Sequence, residues 1–224
     1  SCFTLNNNNS LFLRDEGIFS TYFEQFEYLL GLPGKLAVTT VRTHYIDNIK
    51  FEVFFAPNYS DGISAMDQIM NRVTTADGSI YFMIFSFPHV GLNNLLLNKF
   101  SAGLTVKGVF DESQLANSQE EFLAQRGIPC RIDGNYFIAD GHGGKLHHKT
   151  MIVDYDQNDA FVVTGSFNWS DNANDNNNEN ILIIHSKAIA AKYKAEWDQR
   201  WNEGTDVPTV PPGDDANYQD VVVS

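Results

Sequence analysis

Two cysteines, Cys2 and Cys130, are the only thiols in 224 residues, which leaves room for one optional disulfide and no disulfide framework. Neither lies in a CxxC or Cys/His cluster, so isolated thiols are the expectation and a Cys2–Cys130 bridge the alternative. Long apolar runs are missing as well, and nothing approaches the ~20 residues that a membrane-spanning helix needs. Basic residues are scarce: 15 Lys and Arg stand against 28 Asp and Glu, for a net charge of −13. An acidic chain has no long-range attraction for a polyanion, which excludes tight, salt-sensitive DNA binding unless a local basic groove forms. No signal-peptide pattern is present, and Ser1 rather than Met stands first, so an upstream segment is expected.

What is present is a globular, soluble composition with 43% hydrophobic residues. From Lys50 to Asp133 the chain alternates strand and helix. "KFEVFFAP", "SIYFMIFSF", "LTVKGVFDE" and "IPCRID" read as strands, with helices over "GISAMDQIMNRVTTAD", "VGLNNLLLNKFSA" and "SQEEFLAQRG" between them. Strands apolar on both faces that alternate with helices predict an α/β domain whose mixed, mostly parallel central sheet is flanked by helices. Further on, "HKTMIVD" and "AFVVTGS" flank the turn-rich "YDQND" and predict a hairpin. A polar stretch, the strand "ILII" and an amphipathic helix with Ile189, Tyr193, Trp197 and Trp201 on one stripe follow.

The two ends echo each other. Residues 6–30 align with 177–201 at a constant offset, placing Asn9 on Asn180, Ile18 on Ile189, Tyr22 on Tyr193, Phe26 on Trp197 and Leu30 on Trp201. Each is read as an asparagine run, an apolar strand and a helix with the same stripe. Residues 1–31 are therefore expected to be the tail of an earlier, degenerate repeat whose body is missing.

The chemistry concentrates in "GGKLHHKTMIVD". In an extended segment side chains alternate, so His147 and Lys149 share a face while His148, Thr150, Ile152 and Asp154 point the other way. A neutral imidazole can attack phosphorus, and a lysine beside it offers a fixed charge to a phosphate oxygen. Asp154, closing the strand before a turn, suits a structural role. Across the hairpin, Gly165 permits close backbone approach, while Ser166 and Asn168 present a hydroxyl and an amide on one face. Glu179 is placed to accept the other ring N–H of His147 and to fix its tautomer.

Together, HxK, four residues, Asp, then GSxN and a later Glu resemble the HxKxxxxD/GSxN signature of the phospholipase D superfamily. His147, Lys149, Asp154, Gly165, Ser166, Asn168 and Glu179 all fall where that pattern puts them. The resemblance covers about Phe51 to Gly204 and looks closest to the compact nuclease-like branch. It implies a phospholipase D-like α/β sandwich and a metal-independent phosphodiesterase working through a phosphohistidine, with catalytic residues His147, Lys149 and Glu179. Lys149, Ser166 and Asn168 would bind phosphate, and no cofactor is implied. The chain then divides into 1–31, the strand-helix tail; 32–48, a linker; 49–204, the catalytic domain; and 205–224, an acidic exposed tail. The family mechanism uses two histidines and this chain has one HxK set. Its partner is expected from a homodimer or from the missing upstream repeat. A phospholipase D acting on phospholipid head groups is the alternative substrate reading, favoured over DNA by the acidic charge. A catalytically weakened module that binds phosphodiesters or partners is the third. A zinc site from His142, His147 and His148 competes, but it has no HExxH or cysteine pair, and adjacent strand histidines diverge. The acidic spacing of "SFNWSDNANDNNNEN" does not fit an EF-hand loop.

Overall fold

The apolar runs assemble into one mixed sheet. The computed structural model describes residues 6–57, 62–136 and 144–208, and in these the order of elements is α1 (Glu16–Leu29), β1 (Arg42–Ile46), β2 (Ile49–Ala56), α2 (Ala65–Val73), β3 (Ser79–Ile84), α3 (Val90–Ser101), β4 (Thr105–Phe110), α4 (Glu120–Gln125), β5 (Cys130–Ile132), β6 (Lys149–Val153), β7 (Phe161–Gly165), α5 (Asp171–Asp175), β8 (Glu179–His185), α6 (Lys187–Glu203) and β9 (Thr205–Asp206). Across the sheet the strands run β1-β2-β8-β7-β6-β3-β4-β5-β9.

The sheet is mixed and covered by helices, but it is not mostly parallel. Among the strands of the described residues, only β3–β4 and β4–β5 pair in parallel. The ladders β1–β2, β2–β8, β8–β7, β7–β6, β6–β3 and β5–β9 are antiparallel. Helical crossovers impose parallel neighbours from β3 to β5, while short turns join only β1–β2 and β6–β7, and the remaining antiparallel ladders bring together strands separated by other elements. A solid apolar strand reports that both its faces are covered, not which way its neighbour runs.

Local chemistry sets the element boundaries. Ser64 caps α2 in a capping box, its hydroxyl taking the Asp67 N–H while the Asp67 carboxylate takes the Ser64 N–H. Asp47 and Asn48, at φ 50° and 63°, form the two-residue turn between β1 and β2, the left-handed pair that a type I′ hairpin requires. β1 lies in the segment read as linker. Residues 10–13, read as a strand, form none: β2, β7 and β8 already have a neighbour on each side, and Asn7 alone finds a partner, bridging Leu146.

Two apolar layers sandwich the sheet. Met66, Ile69, Leu92, Leu96 and Leu123 pack on one face with Met151 and Val153 of β6. On the other, Tyr193 and Trp197 of α6 meet Ile152 and Leu146, and Ile18 of α1 meets Val53, Leu182 and Ile184. Of the tail from 205, Thr205 and Asp206 pair with β5 and Val207 is buried; residues from 209 lie outside the described part. Cys130 is a buried free thiol, and Cys2 lies outside the described residues.

Candidate active site

His147 and Lys149 reach the site from the start of β6, on the side of the strand opposite His148. The approach to His147 is held from both flanks. Asn7 donates its N–H to the Lys145 carbonyl at 2.8 Å and accepts the His147 N–H at 3.0 Å, and the Asn6 side chain accepts the Lys145 N–H at 3.0 Å. From the core, the Asp111 carboxylate accepts the Leu146 N–H at 2.7 Å and the Ser113 N–H at 2.9 Å. Asp111 is almost wholly buried at the end of β4. Burial raises its carboxyl, opposed by these donors and by Lys145.

The His147 ring is exposed to the cavity and meets the edge of Phe85 at 4.8 Å between centroids. Burial first, then the charges of Lys149, Lys145 and His148, pushes its imidazole down to about 4, so it is neutral at pH 7. The Lys149 ammonium donates to the His147 carbonyl at 3.0 Å and lies 4.7 Å from the Phe85 ring centroid. Burial pushes it down to about 8 against the support of Glu179 and Asp111. A neutral imidazole thus stands beside a cation that still holds its proton at neutral pH.

Ser166 faces them from the end of β7. Gly165 has φ 139°, and a Cβ there would lie 2.1 Å from the Asn180 carbonyl, so only glycine lets β7 approach β8 at this point. The Ser166 hydroxyl accepts the Asn180 N–H at 3.1 Å and donates to the Glu179 carboxylate in a short hydrogen bond. Glu179 also takes the Asn177 amide at 3.1 Å. Its expected bond to the His147 ring is not made, because β7 separates β8 from β6 and Ser166 stands between. Asn168 turns inward, its Oδ1 buried without a partner among the described residues.

Asp154 lies at the far end of β6. Its carboxylate accepts the N–H groups of Asp77, Gly78 and Ser79 at 3.1, 2.9 and 2.7 Å, locking the turn that starts β3. His148 is sealed against α6, its Nδ1 3.2 Å from the Asn9 side chain and its Nε2 3.5 Å from Glu196. His142 lies outside the described residues, among which no His, Cys, Asp or Glu set converges to hold a metal ion.

These groups open onto a cavity of about 610 Å³ with two chemically distinct ends. His147, Lys149, Ser166 and Asn180 make the polar end, while Leu11, Leu13, Ile18, Phe19 and Leu182 make an apolar wall. The residues that sequence reasoning missed are Asp111, Phe85 and the asparagines at 6, 7 and 9. Asp111 carried a signal: like Asp154, it closes a buried apolar strand, where a carboxylate stays only if neighbouring N–H groups hold it.

Residues 69–201 match the family model described as cardiolipin synthase, PLD-like domain. The mitochondrial cardiolipin hydrolase of Xenopus tropicalis is 30% identical over 140 residues, a stretch covering 62% of this chain and 62% of that relative. A phospholipase D of Rickettsia conorii is 27% identical over 129 residues, 58% of this chain and 60% of the relative. Among solved structures, the phospholipase D family member Nuc from Salmonella typhimurium superposes with a TM-score of 0.61 at 29% identity, covering 72% of this chain and 99% of that one. NucT from Helicobacter pylori, at 23% identity and a TM-score of 0.62 over 71% of this chain and 99% of its own, shares the fold. With His147, Lys149, Gly165 and Ser166 at one cavity inside the matched stretch, the chain belongs to the phospholipase D superfamily, in the family described as cardiolipin synthase, PLD-like domain.

Proposed function

We propose that the chain carries a metal-independent phosphodiesterase site in which His147 is the nucleophile. The observation that carries this reading is the pairing of a neutral imidazole with the charged Lys149 at the polar end of an open cavity. A ring nitrogen of His147 attacks phosphorus, a P–N bond forms, and the P–O bond to the leaving group breaks. Lys149 stabilises the non-bridging oxygens as charge builds on them, joined by the Ser166 hydroxyl when its one proton turns from Glu179 to the phosphate. Water then attacks the phosphohistidine, releasing the phosphomonoester and restoring the imidazole. The leaving oxygen needs a proton that neutral His147 does not hold, and among the described residues no second histidine lines the cavity. A second HxK unit, from a homodimer partner or an upstream repeat, supplies it.

The apolar wall favours a phospholipid as the diester. Leu11, Leu13 and Phe19 offer acyl or glycerol carbons a surface, and among the described residues no arginine lines the cavity for a nucleic-acid backbone. Kinship with the curated hydrolases named for cardiolipin points the same way. The nuclease-like reading rests on similarity to Nuc along almost the whole of that chain.

Hydrolysis of a chromogenic phosphodiester in chelator, by wild type and by His147→Ala, tests the proposal. Activity that survives the substitution overturns the nucleophile, and activity that disappears with chelator overturns the metal-free chemistry. Phosphatidyl vesicles and single-stranded DNA offered side by side separate the two substrate readings, and turnover of DNA alone rejects the lipid one.

A further inference from the structure

Phe85 is a large apolar side chain that belongs to neither apolar layer. Two other phenylalanines of the same stretch, Phe82 and Phe87, pack into the core against Phe110 and Trp169. Phe85, half-buried just past the end of β3, joins none of the apolar clusters among the described residues. Its ring instead meets three polar groups. The Lys149 ammonium lies 4.7 Å from its centroid and the Lys145 ammonium 5.3 Å, while the His147 imidazole meets it edge-on at 4.8 Å.

Alternation explains how three side chains reach one ring. Lys145, His147 and Lys149 occupy every second position of an extended run and so share a face. The backbone brings the ring to them, because Phe85 continues the β3–β6 ladder by donating its N–H to the His148 carbonyl at 2.9 Å. An aromatic face attracts ammonium groups through its quadrupole and leaves their charge in place. A carboxylate at the same point would also gather the lysines, but it would favour the protonated imidazole beside them. A phenyl ring gathers cations and adds no negative charge.

We propose that Phe85 is a positioning residue for the reaction: its ring holds the Lys145 and Lys149 ammoniums close to His147 and fixes the imidazole edge-on, so that the nucleophile faces the cavity in the field of two cations. Lys145, which lies outside the HxK pattern, thereby joins the electrostatics of the site. The inference rests on His147 being the nucleophile. The charged and titratable groups around it are Lys145 and Lys149, with His148 behind them; Asp111 at the end of β4, which acts on both lysines; Glu179 of β8, which supports Lys149; and Asp15, the N-cap of α1, which lines the cavity. Burial first and then the two lysines lower the imidazole, so removing the ring that covers it and holds them must raise it.

The test compares the full 224-residue chain with Phe85→Leu, Phe85→Tyr, Lys145→Met and the Phe85→Leu/Lys145→Met double variant, by chromogenic diester hydrolysis across pH and by NMR titration of the His147 ring. Phe85→Leu should lower kcat about tenfold with KM changed less than about twofold, and should move the acid limb and the ring titration up together by about one pH unit. Lys145→Met should move both by less in the same direction, and the double variant by less than the sum of the two, because the ring acts through the lysine. Phe85→Tyr keeps the ring and should keep the wild-type limb and most of kcat. Strict additivity, an acid limb unmoved in Phe85→Leu, or a lower melting temperature as the sole change overturns the inference and makes Phe85 packing. Lys145→Met reads the limb by itself if Phe85→Leu does not fold, and no movement in it overturns the inference too. If His147→Ala keeps its activity, the nucleophile falls and this inference with it; if His147→Ala is inactive while Phe85→Leu matches wild type, this inference alone falls.

Discussion

His147 and His148 are consecutive in the chain, yet they belong to different parts of the molecule. His147 opens onto a cavity, and its partial burial first, then two nearby lysines, hold its imidazole neutral. His148 is closed off between Asn9 and Glu196 under α6. The alternation of an extended strand is the whole cause: one residue of register turns a candidate nucleophile into packing. Residue type therefore says little about role until the two sides of β6 are told apart. Substitutions on the two sides are expected to fail in different ways.

The largest effect belongs to the cavity side. His147→Ala should lower the rate of diester hydrolysis by at least about a thousandfold while leaving the melting temperature nearly unchanged. A comparable loss from His148→Ala would erase the contrast between the sides. Lys149→Met comes next, with an expected loss of about 10²–10³-fold in kcat from the missing charge on the phosphate oxygens. If Lys149→Arg restores most of that loss, charge alone matters; if it does not, the compact ammonium over Phe85 is required.

Much of this contrast was legible in the sequence. Alternation alone placed His147 with Lys149 and set His148 apart, and the strands from "KFEVFFAP" to "ILII" form at the sites their apolar runs mark. Three things were not legible. Strand direction was hidden, because a run buried on both faces looks the same in either orientation. β1 was hidden because "RTHYI" is short, polar and at a sheet edge, and its best signal was the left-handed Asp47–Asn48 pair after it. The partner of Glu179 was hidden because it depends on strand order: with β7 between β6 and β8, its carboxylate meets Ser166 rather than the His147 ring.

Moderate effects should come from groups that act on the cavity side without lining it. The rate of diester hydrolysis should rise through a pH of about 4, as His147 loses its proton, and fall through about 8, as Lys149 loses its own. Glu179 and Asp111 support the Lys149 charge from β8 and from the end of β4. Asp111→Asn removes one of these supports, so the alkaline limb should move to lower pH by about one unit, with kcat down about tenfold. A drop in kcat with the limb unmoved would show that Asp111 only braces Leu146.

The smallest effect on turnover, and the sharpest test of the comparison, is expected from the helix side. His148→Ala empties a buried site between β6 and α6 and leaves the Asn9 side chain without one of its partners, while Thr164 and Tyr193 still hold it. A cavity plus one lost hydrogen bond should destabilise the fold by about 2–3 kcal/mol in denaturant titration. Because His148 and His147 share a backbone but no side-chain hydrogen bond, the pH profile should keep both its limbs. Loss of stability with an unshifted acid limb would place the two histidines in separate functions. An acid limb that moved with His148 would show instead that its contribution to the low His147 value is large, and that the two sides of β6 are electrically one site.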